Sequence, residues 1–404
     1  MDKKTIEFEA KNNLKNLSKS DFKLISKSEI IQQVTVVGKP EKAFTGFLKR
    51  FFSNPFTVIA LIIFLFILMT SIIAPLASPY NGTDPISKTS GLLTTYLPPK
   101  SLHGGKITLP IKNDTDIIIQ ILNRFIKMHK GNNDLINSLG VKISSTTGLV
   151  DTNSLFHGNV GSVTFNPFPI LDASDHTNHN PLLGTDAHGR DIWTRLWIGT
   201  RDSLAIALAV AITETIIGVS IGAYIGYHAG TKVDIVLMRI IEILYSVPSL
   251  IWFILMIFVL PKMAFWTIFL ALVTIGWMGP IASTRMFVMR IKDAEFVKSA
   301  QAIGCTQKSL IFNHILLNVM GKLATSFVRR IPLVIGMQAS LAFLGLSPDP
   351  NAPDLGNIIN EAKGQIENWW YILSPTLILL VTTISLQLIA TGLHDALDPR
   401  TGRK

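Results

Sequence analysis

Few stretches of the chain combine residue types that could do chemistry. Leu183–Asp191 reads L-G-T-D-A-H-G-R-D, and Gly184 and Gly189 have the glycine spacing of a phosphate-binding loop. Arg190 and Asp191 stand where that loop needs Lys and Ser/Thr, and no apolar strand precedes them, so the pattern excludes that kind of ATP site. Asp172, Asp175, His176 and His179 could ligate a metal, but their spacing is loose and turn-like, and we expect no metal there. Glu214, Arg329 and Arg330 fall within apolar runs, where a charge is costly unless paired or wetted. They are candidates for lining a transport path. A protonated Glu214 bonded to a neighbouring helix, and an Arg329 or Arg330 snorkelling to the interface, are the structural alternatives. Neither His-Glu-x-x-His nor Gly-x-Ser-x-Gly occurs, which argues against an intramembrane enzyme.

One further stretch, Asp293–Asn318, is polar and amphipathic between two apolar runs. Asp293, Ala294, Glu295, Phe296, Lys298, Ser299 and Ala300 lead to Ile303 and Gly304, which suggests two short helices broken at Gly304. Thr306 is placed to cap the second. Phe296, Ala300 and Ile303 are expected to share one face. A membrane protein that orders such a pair on its aqueous side has something to meet there.

The elements that must position these residues are membrane helices. Of 404 residues, 48% are hydrophobic and only 16% charged, the pattern of an all-α polytopic membrane protein. The net charge of +10 is accounted for by segments facing the cytoplasm, and no nucleic acid is implied. Cys305 is the single cysteine, so no internal disulfide is possible. Six spans are expected: Thr57–Leu76, ended by Pro75 and Pro79; Ser203–Tyr227, capped by Asp202 or Ser203; Ile240–Leu260, kinked at Pro248; Ala264–Thr284; Leu323–Leu346; and Trp369–Leu393. Gly218, Gly222 and Gly226 form a small-residue ridge on the second. Lys232–Arg239 reads as a short turn, with Arg239 and Glu242 able to pair. Residues 1–50 form a Lys-rich arm, within which Ile30–Val37 is the candidate ordered element. The loop 285–318 holds five Lys/Arg against two Asp/Glu, whereas 347–368 is acidic, so both ends of the chain are expected inside.

By this reading residues 1–50 are a cytoplasmic arm and 51–80 the first span. Residues 81–182 are an extracellular insert, of which about Ser90–His179 is a small α+β domain. Its helix is expected at Asp116–Lys130 and its strands within Val141–Phe168. Residues 183–393 hold the other five spans, and 394–404 a cytoplasmic tail.

G-T-D-A-H-G-R-D-I-W-T-R-L from Gly184, A-S-L-A-F-L-G-L and G-L-H-D-A-L-D-P-R together resemble an ABC importer permease. More narrowly, they resemble the C-type membrane subunit of dipeptide, oligopeptide and nickel transporters. The resemblance covers about residues 44–80 and 181–400. It implies that Gly184, Thr185, Asp186, Gly189, Arg190 and Asp191 are a family motif, and that the central loop is the coupling helix fitting a cleft on a cytoplasmic ATPase. The family's Glu-Ala-Ala triplet stands here as Lys298-Ser299-Ala300, and Ile315-Leu316-Leu317-Asn318 replaces the usual Ile-Leu-Pro-Asn. The implied partners are a second homologous permease, two cytoplasmic ATP-binding subunits and an extracellular substrate-binding lipoprotein. ATP and Mg would bind to the ATPases, and this chain would bind no cofactor. Peptide is the expected cargo, with nickel or another small solute as the alternative. The rival from another class, an ion-gradient-driven transporter, would need inverted repeats, and none is found.

Overall fold

Where charge is sparse and apolar residues run on for 20 or more positions, a backbone in lipid must bond within itself, and helices result. The computed structural model describes residues 43–87, 91–100, 105–111, 116–144, 149–151, 155–157, 160–175, 177–260, 264–365 and 368–397. Ile30–Val37 and the tail from 398 lie outside them. Helix α1, Ala43–Ser53, is the described part of the arm, and the chain from Phe51 forms a separate unit.

Among the described residues, five helices are long and apolar enough to cross a membrane, and counting one bent pair as a single span gives a sixth. The first, α2 (Pro55–Ala77), is capped by the Asn54 side chain and has Pro55 at its first position, where a missing N–H costs nothing. It runs through Pro75, which the sequence reading took as its end.

The insert follows. Helix α3, Ile117–Met128, lies within the expected Asp116–Lys130, is capped by Asp116 and buries Leu122, Phe125 and Ile126. They pack with Val163 and Phe165 of a three-stranded antiparallel sheet, ordered β1-β3-β2. Its strands are β1 (Ile107–Ile111), β2 (Phe156–His157) and β3 (Val160–Phe165). Strand β1 was not foreseen. It carries Pro110, which sits opposite Ser162 and is tolerated because β1 is an edge strand. Helix α4, Phe168–Asp175, completes the insert.

The central element is α5, Ile192–Tyr227, a 36-residue helix that begins eleven positions before the expected Ser203. Its cap is Asp191, whose carboxylate accepts the Thr194 N–H at 2.8 Å and hydroxyl at 2.6 Å, so neither Asp202 nor Ser203 caps it. The glycine ridge works as expected. A Cβ on Gly218 would meet Pro280 at 2.6 Å, one on Gly222 the Ile281 carbonyl at 2.6 Å, and one on Gly226 the Arg285 carbonyl at 2.9 Å. Only hydrogen fits at these three crossings.

The expected third span is not one helix. Helix α6, Lys232–Ser246, and α7, Ser249–Val259, meet at 82° across Val247-Pro248. Proline has no N–H to continue a helix, and here it breaks the helix outright. The turn expected over Lys232–Arg239 is the first half of α6. There the Asp234 carboxylate takes two hydrogen bonds from the Arg285 guanidinium at 2.7 Å each, and Arg239 pairs with Glu242 at 3.1 Å. Helices α8 (Ala264–Gly276) and α9 (Met278–Ile291) run on as a single apolar stretch, Phe265–Ile291, seven residues beyond the expected end at Thr284.

Helix α10 (Glu295–Ala302) leads to α11, Gln307–Phe343, which is far longer than the expected Leu323–Leu346. A π-helical stretch, Leu310–Ile315, widens its start. Leu317, standing where the related pattern has proline, keeps its N–H and lets the helix continue. Helix α12, Leu355–Ala362, lies in the acidic loop, and α13, Trp369–Leu397, is the last span. Helix α5 packs against α2, α8, α9 and α11, and their apolar centre includes Ala207, Val210, Leu272, Ile281 and Val334.

Candidate functional site

Three clusters hold the residues singled out by the sequence. The first is the knuckle at α10. The chain leaves α9 at Lys292, whose Nζ donates to the Ala229 carbonyl at 3.0 Å. Gly304 closes α10 with φ +91°. Its N–H reaches the Gln301 carbonyl at 2.9 Å, and the next N–H, of Cys305, reaches Ala300 at 3.1 Å. This paired bonding is the Schellman stop that glycine permits. Val297 and Ala300 are buried against Val288, Leu310, Ile311 and Ile315. Burial divides the expected group of Phe296, Ala300 and Ile303, since only Ala300 is buried. Phe296 is 41% exposed and Ile303 85%, because the inner face belongs to residues 297 and 300, one turn apart. Asp293, Glu295, Lys298, Ser299 and Gly304 are exposed too, and Ala294 is half-buried. Thr306 occupies the cap position of the next helix, but its side chain makes no capping bond. The knuckle is seated on α5 through Gln301, whose Nε2 donates to the Tyr227 hydroxyl at 2.9 Å, and through the Gln307–His228 contact.

The second cluster is the Gly184–Asp191 motif. Gly184 and Gly189 take positive φ of 78° and 73°, and a Cβ on either would strike the 94–97 segment. Thr185 bonds to the same segment, accepting the Leu97 N–H at 2.8 Å and donating to the Thr94 carbonyl. The Asp186 carboxylate accepts the N–H groups of His188 and Arg190 at 2.8 and 2.9 Å, the Arg190 Nε at 2.7 Å, and the Arg195 guanidinium. From the far side Glu361 of α12 accepts Arg190 at 3.1 Å, Arg195 at 2.8 and 3.1 Å, and the Tyr371 hydroxyl at 2.8 Å. Two guanidiniums and two carboxylates thus neutralise each other out of water, fastening the start of α5 to α12 and α13. The motif is a structural clasp. Although Asp186, His188 and Glu361 converge, they do so around Arg190 and Arg195, which leaves no open cation site. Burial pushes the Asp191 carboxyl above the usual carboxylate range, against two hydrogen bonds from Thr194. Burial does the same to Asp354, which caps α12 through Gly356 at 2.8 Å and takes the Gln338 amide at 2.7 Å. Arg195, Glu361 and Tyr371 were missed by the sequence reading. Arg195, a charge just inside the start of an apolar helix, was their only local signal.

The third cluster joins Glu214 and Arg330. The Glu214 carboxylate accepts the Arg330 Nε–H, and Arg330 Nη2 donates to the Gly276 carbonyl at 3.2 Å. Arg329 is exposed and takes no part in this pair. The protonated-carboxyl alternative for Glu214 does not fit this contact, whose partner is a cation rather than a neutral helix group. A Cβ on Gly276 would collide with the Glu214 carboxylate. Gly276→Ala is accordingly expected to destabilise the protein by about 1–3 kcal/mol through forced displacement of the pair. Thermal unfolding of the detergent-solubilised protein would show it, and an unchanged midpoint would mean the pair moves aside freely.

The Asp172–His179 group is a further ion cluster at the end of α4. The His179 ring meets Asp172 at 3.0 Å and Asp175 at 3.3 Å through its two nitrogens, so both are occupied. His176 lies outside the described residues.

Comparison with known proteins decides what this arrangement serves. Residues 218–403 match the family described as binding-protein-dependent transport system inner membrane component, and 44–99 match the N-terminal TM domain of oligopeptide transport permease C. The oligopeptide transport system permease protein OppC of Mycoplasma pneumoniae is 35% identical over 374 residues, covering 91% of this chain and 93% of that protein. The chain belongs to the C-type permease family of ABC importers. The OppC of Mycoplasma genitalium is 31% identical over 95% of this chain and 97% of its own length, and the dipeptide permease DppC of Bacillus subtilis 33% over 55% and 69%. Coverage of 91% and 95% cannot be reached without most of residues 81–182, a quarter of the chain, so the two Mycoplasma relatives align across the insert. The permease is thus a translocation subunit rather than an enzyme, and its family works with separate ATPase and substrate-binding partners.

Proposed function

We propose that this permease carries di- or oligopeptides across the plasma membrane as one half of a two-permease pore, with its N- and C-termini in the cytoplasm. Two cytoplasmic ATP-binding subunits, which hold the ATP and Mg, drive it, and an extracellular binding lipoprotein feeds it. The observation that carries this reading is the knuckle of α10. Phe296 and Ile303 project from a helix whose other face is fixed by Val297 and Ala300. Apolar side chains presented on so rigid a seat fit a cleft in a partner. Closure of the ATPases on ATP would draw two such knuckles together and rock the helices between inward- and outward-facing states. The differential affinity of ATP for the closed pair supplies the work. The peptide cargo is supported by the relatives named above for oligopeptide and dipeptide transport.

The orientation is supported by the five Lys/Arg against two Asp/Glu in the loop 285–318. Under it, residues 81–182 face outward, where the sheet and α3 meet the binding lipoprotein or frame the pore mouth. Uptake of a labelled peptide series is expected in cells that carry the gene and not in cells that lack it. Removing the insert should abolish that uptake while the protein still enters the membrane. Undiminished uptake without the insert would show that it is dispensable, and no gene-dependent uptake of any peptide would remove peptide as the cargo.

A further inference from the structure

The Glu214–Arg330 pair leaves one nitrogen of the guanidinium over, next to open space. A guanidinium has five N–H groups, and the contacts to Glu214 and the Gly276 carbonyl engage Nε and Nη2. Nη1 faces Gly279, where even an added Cβ would remain 3.9 Å away. Glycine at 276 makes room for the pair itself, and the space beside Gly279 would stay open even to a Cβ. Arg330 forms part of the wall of two cavities on either side of Gly279. One, of about 120 Å³, is bordered by Thr215, Ser283, Thr284, Ser326 and Arg329; the other, of about 200 Å³, by Tyr245, Ser249 and Met337. The Thr284 hydroxyl is fully buried at the first cavity and has no hydrogen-bond partner among the described residues. A buried hydroxyl without a partner is costly and calls for a ligand or water. Arg329 and Arg330 both border the first cavity, and Glu214 pairs with Arg330 only.

The ligand that fits is an anion of carboxylate size. A space of about 120 Å³ takes a carboxylate with a water or two but not a peptide. We propose that Arg330 is a specificity-determining residue, which receives the terminal carboxylate of a passing peptide at the cavity walled by α5, α9 and α11, with Thr284 as second donor. Glu214 is a positioning residue, holding the guanidinium edge-on so that Nη1 is presented to the cavity. This rests on the peptide reading above.

The test uses the whole transporter in proteoliposomes, with its ATPases and binding protein, and compares initial uptake of labelled peptides as free acids and as C-terminal amides. Selection made by the binding protein is common to every variant, so changes in the acid-to-amide ratio report on the permease. Removing both charges in Glu214→Gln/Arg330→Gln leaves no orphaned ion. It is expected to lower the ratio about tenfold, the worth of a charge-assisted contact, with amide uptake kept within about twofold. Thr284→Val, which leaves the ion pair intact, is expected to lower it about threefold and carries the test should the double variant fail to assemble. An unchanged ratio in the variants overturns the proposal. So does a fall of acid and amide uptake together, which would assign the pair a structural role only. Import of neither form by the unaltered transporter would overturn the peptide reading itself.

Discussion

Glu361→Ala should strip the permease of about 3–5 kcal/mol of stability, the cost of leaving buried charge without its counter-ion. Among the described residues, Glu361 is the member of α12 that bonds Arg190, Arg195 and the Tyr371 hydroxyl. Arg195 and Arg190 are 0% and 4% exposed, so neither guanidinium can turn to water when the carboxylate is removed. Asp186 would then face two cations through Oδ2 alone, because its Oδ1 is already taken by two backbone N–H groups. Full-length protein in the membrane fraction, followed after synthesis is stopped, should decay several-fold faster than the unaltered chain. Glu361→Gln keeps an acceptor for Tyr371 but not the charge, and should fall between the two. Decay of Glu361→Ala at the unaltered rate would show that the clasp does not hold α5 to α12.

Ile303→Asp should reduce ATP-driven uptake by at least about a hundredfold with little loss of folded protein. Burying Ile303 and Phe296 in a partner cleft would contribute about 1.5–3 kcal/mol each. An aspartate there forfeits that contribution and also brings an unpaired charge into the contact. The variant protein should accumulate normally, because Val297 and Ala300, not Ile303, seat α10 on Leu310, Ile311 and Ile315. Phe296→Asp should act in the same direction, whereas Ile303→Leu should transport normally. Val297→Asp is the contrast, since it breaks the seat and should lower protein level as well as uptake. The measurements are peptide uptake, ATPase activity of the purified complex, and recovery of the ATPases with the permease. Normal coupled uptake by Ile303→Asp would exclude this face as the docking surface.

Much of the fold was readable because membrane helices declare themselves through long uncharged runs. Span counting worked for α2 and α13, whose apolar stretches nearly coincide with the helices. It placed the start of α5 too late because Arg195, Arg201 and Asp202 interrupt the hydropathy, although the helix only needs its backbone bonds and a cap at Asp191. Gly304 was a legible stop, since the positive φ that ends α10 is one glycine supplies at little cost. The face of α10 was not legible. Spacing grouped Phe296 and Ile303 with Ala300, but an apolar residue kept for another chain looks the same in sequence as one kept for the core. The ion pairs were hidden for a different reason: Arg195 and Glu361 lie 166 positions apart, and Glu214 and Arg330 lie 116 apart. No local spacing rule reaches that far. The Gly184–Asp191 motif was visible as a pattern, but its role as a clasp depended on Glu361 and Tyr371, which carry no local mark.

One rod, α5, is gripped at both extremities, by Glu361 through Arg195 and by Gln301 through Tyr227. Those two grips lie about 48 Å apart at 1.5 Å per residue. Helix α5 can therefore act as a see-saw beam. A tilt of about 5° about one grip would swing the opposite extremity by about 4 Å over that length, more than the width of a water molecule. Leverage of this kind would let a modest squeeze on one face of the bilayer be felt on the other without any helix having to unwind.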